Sequence, residues 1–449
     1  MLIDIYPIIS RRYRSALFIF VLFISPLALL AQERDSVLVN PTLDKVLQYA
    51  LDRQPVVQQS LIDVQITDQQ IRSRLADWYP QISFNYVFQR NFQVPTNIIG
   101  GQPIQLGVAN TSGLQFLGTQ NIFNRDLLFA SRTKGNVQLQ AKQQVVNTKI
   151  DVVANVSKAF YDVLATQEQI NVSIANITRL ERSLKDATSQ YNAGLVDKTD
   201  YKRAMILLNN ARAALKANQQ AVIAKTAFLK SIINYPVTQN LDISYDTASL
   251  EADIPVDTLQ GIDVTRRIEF QILETQRKLQ EANVRYNKWS YLPTLNANGG
   301  YFRNFLDDRF SKLYDRAFPQ SFAGLTFAIP IFQGGKRKYD LNVAKLQLKR
   351  TDLDIINLKN EINSEYYNAL AAYKSSLANY LAVKENVVLA QEVYDVITLQ
   401  YRSGIRTYLD VVIAEAELRT SQITYYNALY DVLSSKIDVQ RSLGNITPQ

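Results

Sequence analysis

Residues 78–92, WYPQISFNYVFQRNF, and residues 291–305, YLPTLNANGGYFRNF, are the two stretches that decide the fold. Each begins with an aromatic residue, has proline at its third position and ends in the tripeptide Arg-Asn-Phe. From Ile82 onward the first stretch alternates apolar and polar residues, which is the two-residue period of a β-strand. The shared pattern indicates that the second half of the chain duplicates the first, at an offset of about 210 residues.

Three more correspondences follow in the same order along the two halves. They pair Asn121-Ile122-Phe123 with Pro330-Ile331-Phe332, Phe160-Tyr161-Asp162-Val163-Leu164 with Tyr366-Tyr367-Asn368-Ala369-Leu370, and Tyr191, Gly194, Leu195 and Asp200 with Tyr401, Gly404, Ile405 and Asp410. An offset of about 210 residues is too long for a solenoid repeat. We therefore expect a first structural repeat at residues 32–235, a connector at 236–262, a second repeat at 263–444 and a C-terminal tail at 445–449.

Each repeat also contains a long proline-free region, from Arg125 to Tyr235 and from Ile331 to Thr447. Apolar residues recur there at seven-residue intervals, with one four-residue slip in the second region, as in coiled coils. They are Val156, Val163, Ile170, Ile177, Leu184 and Tyr191, and then Leu341, Leu348, Ile355, Ile362, Tyr366, Tyr373, Tyr380 and Val387. We expect helices at about residues 126–191 and 336–401, each about 100 Å long. A helix of about 40 residues returns after Gly194 and after Gly404, which gives two long helical hairpins.

Four segments with a two-residue period precede the long helices, two in each repeat. They start at Ile82, near Leu114, at Leu295 and at Leu325, and the last is expected to continue to Ile331. A length of about 11 residues and aromatic side chains near both ends suit strands that cross a membrane. The loops at about 93–112 and 306–321 are polar enough for the cell exterior. The same alternation also fits a half-buried sheet in a soluble domain.

The first 31 residues are typical of an export signal. Arg11, Arg12 and Arg14 precede an apolar run from Ala16 to Leu30, and cleavage is expected after Ala31. An uncleaved anchor is the alternative, although a run of about 15 residues is short for a membrane span. No later stretch approaches the roughly 20 apolar residues of a transmembrane helix, which leaves a periplasmic, secreted or β-barrel protein.

Composition excludes most catalytic chemistry. The chain has no cysteine and no histidine, so disulfides, thiol nucleophiles, Cys/His zinc sites and imidazole acid–base catalysis are absent. We expect no enzyme activity, no cofactor and no metal. The net charge of +8 comes from 49 basic and 41 acidic residues. Along the sequence these charges are spread out rather than clustered as on a nucleic-acid-binding face, which suggests solvated helix surfaces.

Four strands are too few to close a barrel, and a membrane does not tolerate an open sheet edge, so several chains must pool their strands. Two chains would give eight strands and a filled interior, whereas three would give twelve and a lumen. The expected fold is therefore mainly α with a transmembrane β-barrel portion, in a trimer whose 12-stranded barrel continues into a 12-helix α-barrel.

These features resemble the TolC-like outer-membrane efflux protein family. The resemblance is carried by Tyr291-Leu292-Pro293, by Pro330-Ile331-Phe332-Gln333-Gly334-Gly335-Lys336-Arg337, and by the Tyr-x-x-Gly hairpin tips with Asp410-Val411-Val412. It implies an outer-membrane homotrimer that extends into the periplasm and serves efflux or type I secretion. Its implied partners are a periplasmic adaptor and an inner-membrane transporter of the RND, ABC or MFS type.

The family's periplasmic gate, carried over by position, implies a link between Asp200 and Arg406, with Asp410 in an acidic ring. Ile413 stands where many members have a second acid. The resemblance also makes Gly194, Leu195, Gly404 and Ile405 candidate adaptor contacts. The alternative for the charged residues is a solvated helix tip, and the glycines serve equally as helix caps.

Three other functions are alternatives to a channel. A periplasmic adaptor also uses a helical hairpin, but it would have a single hairpin inserted into small β-domains. A coiled-coil filament would have no use for amphipathic strands, and an enzyme would have to work without histidine or cysteine. The cargo stays open among drugs, metal ions, siderophores and proteins.

Overall fold

The computed structural model of the chain describes residues 38, 40–194, 196–243, 247–258 and 260–447. The expected export signal and Leu195 lie outside the described residues. The first repeat consists of α1 (Leu43–Arg53), α2 (Pro55–Ala76), β1 (Gln81–Arg90), β2 (Thr96–Ile99), β3 (Gln102–Gln105), β4 (Asn110–Phe123), α3 (Arg125–Asn192) and α4 (Lys198–Ile233). A short helix, α5 (Thr247–Ala252), lies in the connector. The second repeat consists of α6 (Ile268–Lys288), β5 (Thr294–Asp307), β6 (Ala317–Ala328), α7 (Lys336–Arg402) and α8 (Tyr408–Ser442).

The two long helices confirm the prediction from the seven-residue pattern. Helices α3 and α7 have 68 and 67 residues, which corresponds to about 100 Å each. Val156, Val163, Ile362 and Tyr373, which belong to the predicted seam, are all nearly inaccessible to solvent. Among the helices of the described residues, none combines the length and the apolar character needed to span a bilayer.

The four main strands form one antiparallel sheet in the order β1-β4-β5-β6. One face carries Phe84, Phe116 and Tyr301 in register across three strands, with Phe84 and Phe116 rings 4.9 Å apart. The opposite face is more polar and carries Asn85 beside Gln115. Because β1 and β6 each have one hydrogen-bonding edge with no partner strand in the described chain, the sheet is open on both sides.

The loops at the far end of the sheet differ from the sequence prediction, the first by containing a small hairpin and the second by being shorter. Strands β2 and β3 pair as a small hairpin inside the predicted loop 93–112, and β6 already begins at Ala317. The prediction that the last strand continues to Ile331 was wrong. It ends at Ala328 because Pro330 has no backbone N–H to continue the ladder.

The main hydrophobic core lies halfway along the long helices, away from the sheet. Phe160 of α3, Leu229 of α4, Tyr373 of α7 and Leu433 of α8 are fully buried there, and burying such a side chain contributes about 1.5–3 kcal/mol. The connector closes this core, since Tyr380, Lys384 and Tyr425 all bond the Glu251 carboxylate.

The helices lie side by side in one layer. Next to the sheet their order is α2-α3-α6-α7, and toward the hairpin tips it is α4-α3-α8-α7. One edge of the chain is therefore built by the first repeat, from β1, α2 and α4. The other edge is built by the second repeat, from β6 and α7.

Candidate functional site at the hairpin tips

The two hairpins turn at glycines, as the sequence predicted. Gly194 and Gly404 follow the ends of α3 and α7 with φ of 73° and 77°, a left-handed conformation that glycine adopts at low cost. Both turns are open to solvent, and the Ile405 side chain is 73% exposed. The described part of this tip surface therefore presents glycine backbone and an apolar side chain to the surroundings.

Just above the turns the two hairpins of one chain pack against each other. Ala187 and Ala204 of the first hairpin form a small buried cluster with Tyr401, Tyr408 and Val411 of the second. This cluster joins elements that are separated by about half of the chain.

Two tyrosine hydroxyls reinforce the cluster with hydrogen bonds between the hairpins. The Tyr401 hydroxyl donates to Gln190 Oε1 over 2.8 Å, and the Ser183 hydroxyl donates to the Tyr408 oxygen over 3.2 Å. Burial, together with the nearby Asp200 charge, raises the pKa of Tyr401 to about 12. Tyr401 is therefore a neutral hydrogen-bond donor at physiological pH.

Asp200 and Arg406 are not joined within the described part of one chain. The Arg406 guanidinium Nε donates instead to Gln400 Oε1 of its own hairpin, over 3.2 Å. The ion pair between the hairpins at this level is Arg402 with Asp186, whose charged atoms are 4.0 Å apart and solvent-accessible. An exposed pair of this kind contributes about 0–1 kcal/mol.

Asp410 has a structural role at the start of α8. Its Oδ2 accepts hydrogen bonds from the Thr407 hydroxyl and backbone N–H, over 2.8 and 3.0 Å. Thr407 Oγ1 in turn accepts from the Asp410 backbone N–H, which completes a capping box. These bonds from Thr407, chiefly that from its side chain, lower the pKa of Asp410. Asp410 is partly exposed while it caps the helix, and Ile413 on the next turn is 49% exposed.

A buried ion pair lies one step farther from the tips. Glu415 of α8 is only 4% exposed, and its Oε1 is 3.5 Å from Nε of Arg179 in α3. This separation is long, and neither atom makes a hydrogen bond within the described residues. The Arg179 guanidinium also lies over the ring of Tyr394 in α7, at 5.8 Å from its centroid. Three of the four hairpin helices thus meet at this pair.

Burial dominates the electrostatics of this pair. It raises the pKa of Glu415 to about 7, although the charges of Arg179 and Arg419 act in the opposite direction. Glu415 therefore changes its charge near neutral pH while it is enclosed between the hairpins.

Sequence reasoning found the turns but missed the pair formed by Arg179 and Glu415. The two residues are far apart in sequence, so no local spacing connects them. One signal was available, because Glu415 lies on the apolar face of α8 formed by Val411, Ala414 and Leu418. A carboxylate at such a position is rarely fully buried without a partner.

Comparison with known proteins gives consistent similarities over most of the chain. The sequence profile described as outer membrane efflux protein matches residues 46–234 and 265–445. Outer membrane protein TolC of Escherichia coli is 22% identical over 430 residues, which cover 91% of this chain and 83% of that protein. The probable efflux pump outer membrane protein TtgC of Pseudomonas putida is 24% identical over 421 residues, which cover 90% of this chain and 83% of that protein.

Solved structures have the same fold. The outer membrane protein VceC of Vibrio cholerae matches with a TM-score of 0.72 at 13% identity, over 90% of this chain and 96% of that one. CusC, whose crystal structures concern conformational changes that accompany folding and transmembrane channel formation, matches with a TM-score of 0.73 at 16% identity. The match covers 90% of this chain and 92% of that one.

Proposed function

The chain belongs to the outer membrane efflux protein family, as an outer-membrane channel component of an efflux system, and we propose that three copies form one exit duct across outer membrane and periplasm. Membership in a family of channel proteins removes the alternative of a periplasmic adaptor. The trimer, the adaptor and the inner-membrane transporter belong to the proposal.

The observation that carries the proposal is that the two edges of one chain are open and different. Helix α2 exposes Val56, Ile62 and Ile66 at its edge, and α7 exposes Val343, Leu346, Leu353 and Ile356. Contact between unlike edges is a head-to-tail interface, which generates a closed ring when the rotation between copies closes. The same contact would pair β6 of one copy with β1 of the next, so that no sheet edge stays open in lipid.

The sheet supports three copies better than two. Three sheets of four strands give twelve strands, which leave a lumen, whereas eight strands enclose an interior that side chains fill. With the face of Phe84 and Phe116 toward lipid, the face of Asn85 and Gln115 lines the lumen. An apolar outer face and a polar inner face are the arrangement of outer-membrane barrels.

The edge contact can be tested by crosslinking, since the chain has no native cysteine. Ile66 precedes the end of α2 by ten residues and Leu346 follows the start of α7 by ten, so both lie about 15 Å below the sheet. With Ile66→Cys and Leu346→Cys in one chain, a bifunctional maleimide should give a covalent trimer on a denaturing gel.

Ile66→Cys with Leu389→Cys is the matched control. Leu389 is similarly exposed on α7 but lies about 80 Å below the sheet, so this pair should stay monomeric. Unheated gels of the unmodified protein from outer membranes should show an SDS-resistant oligomer that collapses on boiling. Monomer in both experiments would refute the proposed ring.

We place the periplasmic gate at the contact between the hairpins. Opening the duct requires the second hairpin to move away from the first, which breaks the contacts of Tyr401 and Tyr408. Asp200 and Arg406 are not joined within one copy, so we propose that these tip charges act between neighbouring copies. Gly194, Gly404 and Ile405, at the exposed turns, are the proposed adaptor contacts, together with Leu195, which lies outside the described residues.

A further inference from the structure

The fold gathers charges that look dispersed in the sequence. Segments 72–80, 124–134, 285–293 and 330–340 contain ten basic and three acidic residues, a net charge of +7 out of +8 for the whole chain. Each segment lies where a helix meets a strand of the four-stranded sheet. We name these four segments together the basic belt.

The basic belt lies at one end of the sheet. Strand register places Leu295 opposite Phe123 and Thr294 opposite Ala328, so the helix-proximal ends of β4, β5 and β6 are neighbours. Strand β1 joins them there through Gln81 opposite Thr119. All four strand–helix junctions therefore occupy one level of the molecule, the level at which the periplasmic helices begin.

The opposite end of the sheet has no comparable charge. Residues 91–109 contain no charged side chain, and residues 306–316 contain three of each sign. The concentration of positive charge is thus specific to the periplasmic end of the strands.

Aromatic rings hold several of the guanidinium groups at this level. Arg132 lies over the ring of Trp289 at 4.8 Å, Arg125 over Tyr286 at 4.5 Å and Arg337 over Tyr291 at 4.7 Å from the ring centroid. Tryptophan and tyrosine are enriched at membrane–water interfaces, where an apolar body and a polar end are both satisfied. The basic belt therefore has the composition of a membrane interface.

We propose that the basic belt binds anionic phospholipid headgroups of the periplasmic leaflet of the outer membrane. Lysines near a membrane surface are attracted to anionic lipid, and their effects accumulate. Lys134, Lys288 and Lys338 are exposed and make no ion pair with any described residue, so their ammonium groups are available to lipid phosphates. The inference rests on the proposed embedding of the sheet in the membrane.

The chain carries its own reporter for this test, because its two tryptophans, Trp78 and Trp289, both belong to the basic belt. The full-length mature protein is reconstituted in phosphatidylcholine vesicles that contain brominated phosphatidylglycerol or, in parallel, brominated phosphatidylcholine. Bromine quenches tryptophan at short range, so the ratio of quenching reports which lipid is enriched at the belt. We expect about fivefold preference for the phosphatidylglycerol at low salt, reduced toward unity by 0.5 M NaCl.

The triple variant Lys134→Gln, Lys288→Gln, Lys338→Gln should lose most of this preference. A matched control, Lys216→Gln, Lys349→Gln, Lys374→Gln, removes the same charge from exposed positions of α4 and α7 outside the belt and should keep it. Equal quenching by both lipids in the unmodified protein would overturn the proposal, as would unchanged preference in the belt variant.

Two other outcomes would also overturn the proposal. Loss of the preference on addition of inorganic phosphate at constant ionic strength would assign the belt to free phosphate rather than to lipid. A change in the reversal potential of the belt variant, with its lipid preference intact, would place the charges in the lumen. Because trimer formation is read separately on gels, failure of the lipid test and failure of the proposed duct are distinguishable.

Discussion

Replacing Glu415 by glutamine should stabilise the contact between the hairpins at neutral pH and leave it unchanged in acid. Burial raises the pKa of this carboxyl from 4.5 to about 7, which corresponds to about 3 kcal/mol in favour of the neutral form when the hairpins are packed. Glutamine has nearly the same shape and stays neutral, and its amide oxygen lies beside Arg179 as the carboxylate oxygen does.

The pH dependence follows from the direction of the pKa change. Below about pH 4.5 Glu415 is protonated whether the hairpins are packed or separated, so its ionisation costs nothing. As the pH rises from 4.5 to 7 the separated state releases a proton that the packed state retains, and the contact weakens. Above pH 7 the full penalty of about 3 kcal/mol is present, which is a factor of about 300 in the opening equilibrium.

Hydrogen exchange of the α8 amides around Leu418 measures this local opening. Both proteins are compared at the same pH, so the intrinsic exchange rate cancels, and the ratio of unmodified to Glu415→Gln exchange should rise from about 1 at pH 4 to about 300 at pH 8. Glu417→Gln, which removes an exposed charge from the same helix, should show no such rise. A ratio for Glu415→Gln that stays constant from pH 4 to pH 8 would refute the reasoning.

The remaining predictions concern the gate and the connector. In planar bilayers, Tyr401→Phe should raise single-channel conductance by removing the 2.8 Å hydrogen bond to Gln190. Asp200→Ala or Arg406→Ala should also raise it if these charges link neighbouring copies. Unchanged conductance in both charge variants would show that these residues are not part of the gate. Burial tends to raise the pKa of Glu251, but hydrogen bonds from Lys384, Tyr425 and Tyr380 lower it to about 2. Glu251→Gln should therefore lower the free energy of unfolding by about 2 kcal/mol above pH 4.5. This loss should disappear as the pH falls toward 2, as measured by thermal melts followed by circular dichroism. A loss of stability that does not depend on pH would contradict this prediction.

The regular parts of the fold could be predicted from sequence because their signals are periodic. The seven-residue spacing from Val156 to Leu184 identified α3, and the two-residue alternation from Ile82 to Phe88 identified β1. Glycine after each long helix marked the turns. Such local signals need no knowledge of how distant segments meet.

The contacts between hairpins could not be predicted in this way. The sequence identifies Tyr401 as part of the duplicated pattern, yet its hydrogen-bond partner Gln190 is 211 positions away. Arg406 and Asp410 have the charges expected of a gate, but the first pairs with its own hairpin and the second caps its own helix. The dispersed basic residues likewise become one surface only when four strand–helix junctions are brought to one level.

The position of the main core halfway along the helices has a consequence for biogenesis. Phe160, Leu229, Tyr373 and Leu433 bury one another without any contribution from the strands, so the rod-like body of a newly exported chain can fold in water. The sheet has no such core, because its order leaves β1 and β6 as open edges; in the proposed duct, lipid covers its apolar face and neighbouring copies pair with these edges. In the proposed trimer, folding and membrane insertion are thereby divided between two parts of one polypeptide: the helical body folds within one copy, and the sheet is completed only by assembly.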